Sequence, residues 1–396
     1  MSVIQNSRLI FAVRVLVFLL LLAVFPFAAK GTSTEFEISP YVQNVGKTSA
    51  TVLWKPANKE AGKVEYGPTT AYGLSATGDI KYVVKNGSPQ PEKVSAVRAR
   101  LANLMPDTVY HYRVALVKSA SEDRTFRTAP EVADAGFTFL VYGDTRGDPE
   151  VHARVISAAA TTCHPAFVLA TGDMVPFSGD GESVWIKEFF KPADPLLRET
   201  WFAMTRGNHE SKNKLVSLYF EGSGGSQGKD YYSFEWGAVH VVTLDTNIPY
   251  ESGSEQYEFL KRDLAGSLRP FKVFFGHHPT YSSSSHGSTK KMQKYLQPLF
   301  ENNGVQLVFA GHDHDYERTA VNGISYVVSG GGGAPLYEQE QLIPDPNSLV
   351  FKKANNFVLV DVTSRKMVLT AWGIDNNGVA TLIDRTVITP MSTFKK

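Results

Sequence analysis

Cysteine is nearly absent from this 396-residue chain: Cys163 stands alone, so no intramolecular disulfide can form and stability has to come from packed cores. Without a companion motif, Cys163 reads as a small buried hydrophobe and not as a nucleophile. Cluster-binding cysteines are missing as well, which disfavours iron–sulfur redox chemistry. Excess charge is lacking too. Forty Lys and Arg face 39 Asp and Glu with no polybasic run, and this removes the electrostatic case for a nucleic-acid surface. Internal repeats and low-complexity tracts are not evident. The glycine run 330–333 has neither the Lys nor the Ser/Thr of a Walker loop, so it reads as a tight turn that lets backbone approach a cleft.

The chain is long enough for two domains, and 43% of its residues are hydrophobic. Arg8 and Arg14 precede an apolar segment at 15–29, and Ala29-Lys30-Gly31 offers the small residues a signal peptidase reads. A signal peptide over 1–31 and export to the periplasm or medium are therefore expected. Membrane attachment would need this segment to stay uncleaved, although it is shorter than the ~20 apolar residues usual for a span. From residue 36 to about 128, short alternating runs at 50–54, 62–66, 94–101, 109–114 and 124–128 are separated by turn residues, the pattern of an all-β sandwich. The period changes near 129–136, where longer apolar runs begin to alternate with helical stretches at 151–162 and 254–264. The expected domains are thus 35–130 and 134–390. The 222–228 segment, rich in Gly and Ser, reads as a loop, either a lid or bland surface.

Five apolar runs in the second part end alike. The run 137–142 meets Gly143-Asp144, 166–170 meets Thr171-Gly172-Asp173, an apolar run precedes Thr205-Arg206-Gly207-Asn208-His209-Glu210, 271–275 meets Gly276-His277-His278, and 305–310 meets Gly311-His312-Asp313-His314. Continuous apolar runs read as strands buried on both faces, as in a parallel sheet covered by helices. Ligands then gather beyond the strands' carboxyl ends, where glycine allows a sharp turn. Singly, each residue has an ordinary alternative: Asn208 as a helix cap, His277 as a satisfied core histidine, His312 and His314 as a polar turn. Six of the ten histidines nevertheless fall in or beside these junctions, at 209, 277, 278, 286, 312 and 314, and that concentration points to a metal site.

The ordered set Gly-Asp, Gly-Asp, Gly-Asn-His-Glu, His-x-Pro and Gly-His-x-His resembles the calcineurin-like metallophosphoesterases. With the N-terminal sandwich, whose Leu104-Met105-Pro106-Asp107-Thr108-Val109-Tyr110 is similar to the tyrosine-corner approach of fibronectin type III domains, the chain resembles the purple acid phosphatase branch. The resemblance implies an α/β fold, a four-layer β-sandwich flanked by helices and preceded by the all-β domain. It also implies two metal ions of Fe, Zn or Mn, with Asp144 on the first, Asp173 bridging, Asn208, His277 and His312 on the second, and His314 returning to the first. His209 would face the substrate, as proton or hydrogen-bond donor. The implied activity is hydrolysis of small phosphate esters, acid phosphatase-like, by a metal-bound hydroxide. A phosphodiesterase or nucleotidase of the same superfamily is the near alternative, and a non-catalytic binding or adhesion protein the distant one.

Two positions depart from the pattern. Purple acid phosphatases carry a tyrosine where this chain has Pro176, and the wider superfamily often has Asp-x-His where this chain has Arg146. Arg146 could reach a phosphate with its planar fork or pair with Asp148 or another neighbour. His278 and His286 could contact substrate or be exposed loop residues.

Overall fold

The computed structural model describes residues 35–85, 92–131, 135–176, 181–222, 230–340 and 345–390. The expected signal peptide lies outside them, as do residues 223–228 of the Gly- and Ser-rich loop. Among the described residues no helix is long and apolar enough to cross a membrane.

Strands between residues 36 and 127 pair antiparallel in two four-stranded sheets. One runs Phe36–Gln43, Ser49–Pro56, Glu92–Ala102, Asp79–Lys85 and the other Leu74–Thr77, Lys63–Gly67, Val109–Ala115, Arg124–Arg127. Alternation builds their shared core: along Val109–Ala115 the even-numbered Tyr110, Tyr112 and Val114 point in, to join Val52, Trp54, Val97 and Leu101. The Met105 amide donates to the Tyr110 hydroxyl at 2.9 Å, the back-bond of a tyrosine corner.

The second part holds two larger sheets. In order across the first come Trp201–Met204, Phe167–Ala170, Phe137–Tyr142, Asn355–Val362, Met367–Ile374 and Ala380–Ile388, the first three mutually parallel. Across the second come Tyr232–Trp236, Val239–Thr243, Phe271–Phe275, Leu307–Ala310, Ile324–Ser329, Tyr316–Val321 and Ser348–Lys352, with the four strands from Val239–Thr243 to Ile324–Ser329 parallel. The ligand-bearing strands are therefore divided three and two between two facing sheets, and do not lie in a single parallel one. Their apolar runs are continuous because each face enters a different core. Phe139, Val141, Phe167, Leu169, Trp201 and Ala203 meet Val241, Val273, Phe275, Leu307 and Phe309 between the sheets. The alternate residues Leu140, Tyr142, Val168, Ala170, Phe202 and Met204 face the helical layer, which includes the helix Pro149–Thr162.

The N-terminal sandwich and the large sheets belong to one unit, Thr34–Lys396. An aromatic layer joins them. Tyr41 packs on Phe190 at 5.4 Å and donates its hydroxyl to the Tyr219 carbonyl at 2.7 Å, Arg98 pairs with Glu221 at 2.8 Å, and Lys55 pairs with Glu182. Cys163, partly buried at the end of the helix Pro149–Thr162, has its thiol pushed up to about 12 by burial, which leaves it inert as a nucleophile.

On the same helix His152 is wholly buried, its Nδ1 2.8 Å from the Glu188 carbonyl and its Nε2 3.2 Å from the Tyr142 hydroxyl. A carbonyl acceptor fixes the proton on Nδ1, and burial holds the ring neutral with a pKa down to about 4. Because the unfolded chain protonates this ring near 6.5, its contribution to stability is complete above that pH and is lost as pH falls toward 4, a change of roughly 3 kcal/mol. Urea unfolding of His152→Gln should show a correspondingly shallower pH slope than wild type across this window; equal slopes would place the proton elsewhere.

Candidate metal centre

At the junctions of strand and ligand the backbone bends unusually. Asp144, Asp173 and His312 sit at φ +56°, +56° and +71°. Asp and His tolerate this left-handed region better than most residues, though strain of about 1–3 kcal/mol is typical at such positions. Gly172, at φ +94°, is the one preceding glycine that takes the sharp turn itself. At Gly143, Gly207 and Gly311 the expectation of a glycine turn gives way to a different role. A Cβ on Gly311 would lie 2.2 Å from Asp144 Oδ2, and one on Gly207 would lie 2.0 Å from Asp173 Oδ1. At Gly207 and Gly311 glycine makes room for the carboxylates, at Gly143 for the Thr171 side chain, and after Gly143 and Gly311 the ligand residue carries the turn. The run 330–333 packs behind the same loop, with the Gly332 amide donating to the Gly143 carbonyl at 2.9 Å.

All six residues expected to bind metal converge. Among the described residues, ligand atoms of Asp144, Asp173 and His277 lie within 4.8 Å of one another. His277 Nε2 is 2.9 Å from Asn208 Oδ1, 3.4 Å from Asp173 Oδ1 and 3.2 Å from His312 Nδ1, which is itself 3.0 Å from Asn208 Oδ1. On the other side of Asp173, His314 Nε2 is 3.7 Å from Asp144 Oδ1. His209 is half-buried, its Nε2 3.7 Å from Asp173 Oδ2. The His278 and His286 rings flank His312 at 4.5 and 4.0 Å, and His278 Nδ1 meets Thr246 Oγ1 at 2.7 Å. Asp148 turns away: its carboxylate accepts the Glu150 and Val151 amides as N-cap of the helix Pro149–Thr162. Arg146 instead places Nε 3.2 Å from Asp173 Oδ2 and Nη2 3.3 Å from His314 Nε2.

Proton positions decide what this cluster can hold. The Thr171 carbonyl, 2.8 Å from His277 Nδ1, takes that nitrogen's proton and leaves Nε2 with a lone pair. Asn208 Oδ1, Asp173 Oδ1, His277 Nε2 and His312 Nδ1 then face each other with at most one proton among neutral partners. Separations of about 3 Å suit ligands held ~2.1 Å from one cation at right angles. The donor set fits a metal ion. Burial first, then the surrounding histidines, drives the His312 ring far below its usual range; burial likewise takes His278 down to about 3 and His314 to about 4. These rings are neutral near pH 6, the form that binds metals. Burial and then the neighbouring Asp173 raise Asp144, whereas for Asp173 burial is outweighed by His277, His209 and Arg146, so that its carboxyl is lowered.

Glu210 had no role in the sequence reading. Fully buried, it accepts the amides of Asp173 and Val175 at 2.9 Å and of Gly207 at 3.1 Å, so it locks the second and third ligand loops together. Its reach back to an amide three residues earlier is the local signal that could have found it, as in a capping box. Burial, then Asp173, raises its carboxyl to about 8 against the pull of those three amides.

Convergent hard ligands at the carboxyl edge of two facing sheets define a metallophosphoesterase, a phosphoric ester hydrolase. Residues 137–316 match the calcineurin-like phosphoesterase family and residues 37–128 the N-terminal domain of purple acid phosphatases. "Probable purple acid phosphatase 20" of Arabidopsis thaliana is 29% identical over 70% of this chain and 68% of its own length, and "Purple acid phosphatase 18" of the same plant is 26% identical over 84% and 79%. Two further Arabidopsis relatives are named inactive purple acid phosphatases. In fold, the yellow lupin purple acid phosphatase PPD1 superposes with a TM-score of 0.77 at 20% identity, over 88% of this chain and 74% of that one. The chain thus combines a calcineurin-like phosphoesterase domain at 137–316 with a purple acid phosphatase N-terminal domain at 37–128.

Gly207→Ala should push the Asp173 carboxylate out of place. Metal titration is expected to show affinity weakened ~10-fold or more, at a stability cost of about 1–3 kcal/mol. Unchanged affinity would mean that Asp173 has room to spare.

Proposed function

We propose that the chain hydrolyses small phosphate monoesters at this centre, after export. The observation that carries the reading is the proton-poor group Asn208 Oδ1, Asp173 Oδ1, His277 Nε2 and His312 Nδ1, which calls for a cation. The names of the relatives support the monoester class. In the family's two-ion arrangement Asn208, His277, His312 and Asp173 would hold one ion, and Asp144, Asp173 and His314 surround the other position. An ion bound at this centre would polarise a phosphoryl oxygen as a Lewis acid and acidify a water.

The chain's own residues do the rest. Thr171 and Pro335 carbonyls, at 2.8 and 2.7 Å, set the proton of His277 and of His314 on Nδ1 and aim each Nε2 inward. His209, anchored by its amide on Asp173 Oδ1 at 3.0 Å, is placed to donate to the leaving oxygen or to the phosphoryl charge. His278 and His286 border the open side of His312, where the remainder of a substrate would lie. Export rests on the arginine-flanked apolar segment at 15–29, and N-terminal sequencing of protein recovered outside the cytoplasm tests it.

Chelation should abolish hydrolysis of a phosphomonoester panel, and Mn²⁺, Zn²⁺ or Fe²⁺ should restore it; full activity in metal-free protein would end the proposal. His209→Ala should keep its metal while losing ~10²-fold or more in turnover on esters with poor leaving groups. Asn208→Ala should lose metal instead, and the opposite pattern would exchange the two roles.

Pro176 has no side-chain oxygen, and the Tyr281 and Tyr316 hydroxyls are committed to Gln297 at 2.6 Å and Asp384 at 2.7 Å. The metal-replete protein should therefore be colourless and more active with divalent ions than with a ferric–divalent pair. An intense visible band would reveal a tyrosinate ligand, and Tyr337, stacked on His314 at 4.1 Å, would be the phenol to replace first.

A further inference from the structure

We infer that the Arg146 guanidinium is the resident cation of the first position, so that the centre takes a single metal ion, held by Asn208, His277 and His312 with Asp173. The decisive atom is His314 Nε2. Its ring proton lies on Nδ1, 2.7 Å from the Pro335 carbonyl, so Nε2 has one lone pair and no more. That lone pair accepts from Arg146 Nη2 at 3.3 Å. A ring nitrogen in this state can accept a hydrogen bond or bind an ion, and cannot do both. Arg146 Nε meanwhile occupies Asp173 Oδ2 at 3.2 Å, on the side of the carboxylate away from His277, which faces Oδ1.

The surroundings hold the guanidinium in place. The Arg146 amide donates to the Asp173 carbonyl at 3.3 Å, which fixes the start of the side chain, and Tyr337 stacks on the His314 ring at 4.1 Å, which holds the acceptor. The arginine side chain is 19% exposed, so it is not sealed off from solvent. The first position is also short of donors, because Pro176 supplies none.

An arginine suits this place because it keeps its charge at any relevant pH and matches two acceptors at once. Two carboxylates against one divalent ion and one guanidinium leave a net charge of about +1, still attractive to phosphate. Further N–H groups of Arg146 are then available to hold a phosphoryl oxygen by hydrogen bonds that no ion at this place would offer.

The inference rests on the phosphoesterase reading and can fail separately from it. The full chain, saturated with Mn²⁺ and freed of excess ion by gel filtration, should contain one ion per chain by elemental analysis and show the paramagnetic resonance of an isolated Mn²⁺. Arg146→His should raise the content to two and produce a spin-coupled spectrum, and Asn208→Ala should remove one ion from either background. Two ions with a coupled spectrum in the unaltered chain would overturn the inference and leave the phosphoesterase reading intact. No bound ion in the unaltered chain would overturn both. Should Arg146→His fail to fold, the unaltered chain's stoichiometry and spectrum still decide.

Discussion

The structure depends on a shortage of protons. Asp144, Asp173, Asn208, His277, His312 and His314 bring their ligand atoms together, and with the Nδ1 protons of His277 and His314 turned outward to carbonyls the lone pairs that face inward favour a cation. This arrangement is unfavourable by itself, so the rest of the site is built to impose it. Left-handed backbone at Asp144, Asp173 and His312 aims the ligands, while Gly207 and Gly311 leave room for the carboxylates. Glu210, with three backbone amides, prevents the second and third loops from parting. Such strain persists only where surrounding packing over-determines it, and here two facing sheets with cores on both sides supply that packing.

Among the described residues the N-terminal sandwich contributes no side chain to the centre, yet it bears on it. Ile38, Tyr41 and Leu53 pack against Trp185, Phe189 and Phe190, and the latter three join Phe202 and Met204 on the strand that leads into Asn208. The Tyr41 bond to the Tyr219 carbonyl and the Arg98 pair with Glu221 fasten the segment that follows the same loop. The connection is one of position: the sandwich stiffens the layer from which the third ligand loop emerges.

Much of this was legible in the sequence because burial on both faces demands a continuous apolar strand, and an oxygen or imidazole donor at its end then stands out. The five junctions, the small sandwich and the helices Pro149–Thr162 and Glu255–Gly266 all announce themselves in this way. What an apolar run does not say is which body covers each face, so the division of the ligand strands between two sheets was not readable. The hairpin of Tyr232–Trp236 and Val239–Thr243, turning at Gly237, escaped notice because its aromatic, mixed pattern lacks the ligand signal that drew attention elsewhere. Asp148 was a signal misapplied: an Asp just before a proline is an N-cap pattern, and its capping bonds remove it as a partner for Arg146. The placement of Arg146 on Asp173 and His314 follows from tertiary geometry that no local pattern encodes.

That placement changes what the site must do before any metal arrives. Two neighbouring buried carboxylates without compensation would repel each other and resist ionisation, and burial does hold Asp144 high. Asp173 escapes the same fate because imidazoles and the permanent charge of Arg146 surround it. Asp173 faces the donor group of the second position through its other oxygen. An ion entering there meets a ligand already fixed by the His209 amide, so little reorganisation accompanies its capture. A first-position ion would meet the reverse: a guanidinium to expel and a lone pair already engaged. The two halves of the centre, similar in residue type, differ in readiness, and the difference originates in one arginine two residues beyond Asp144.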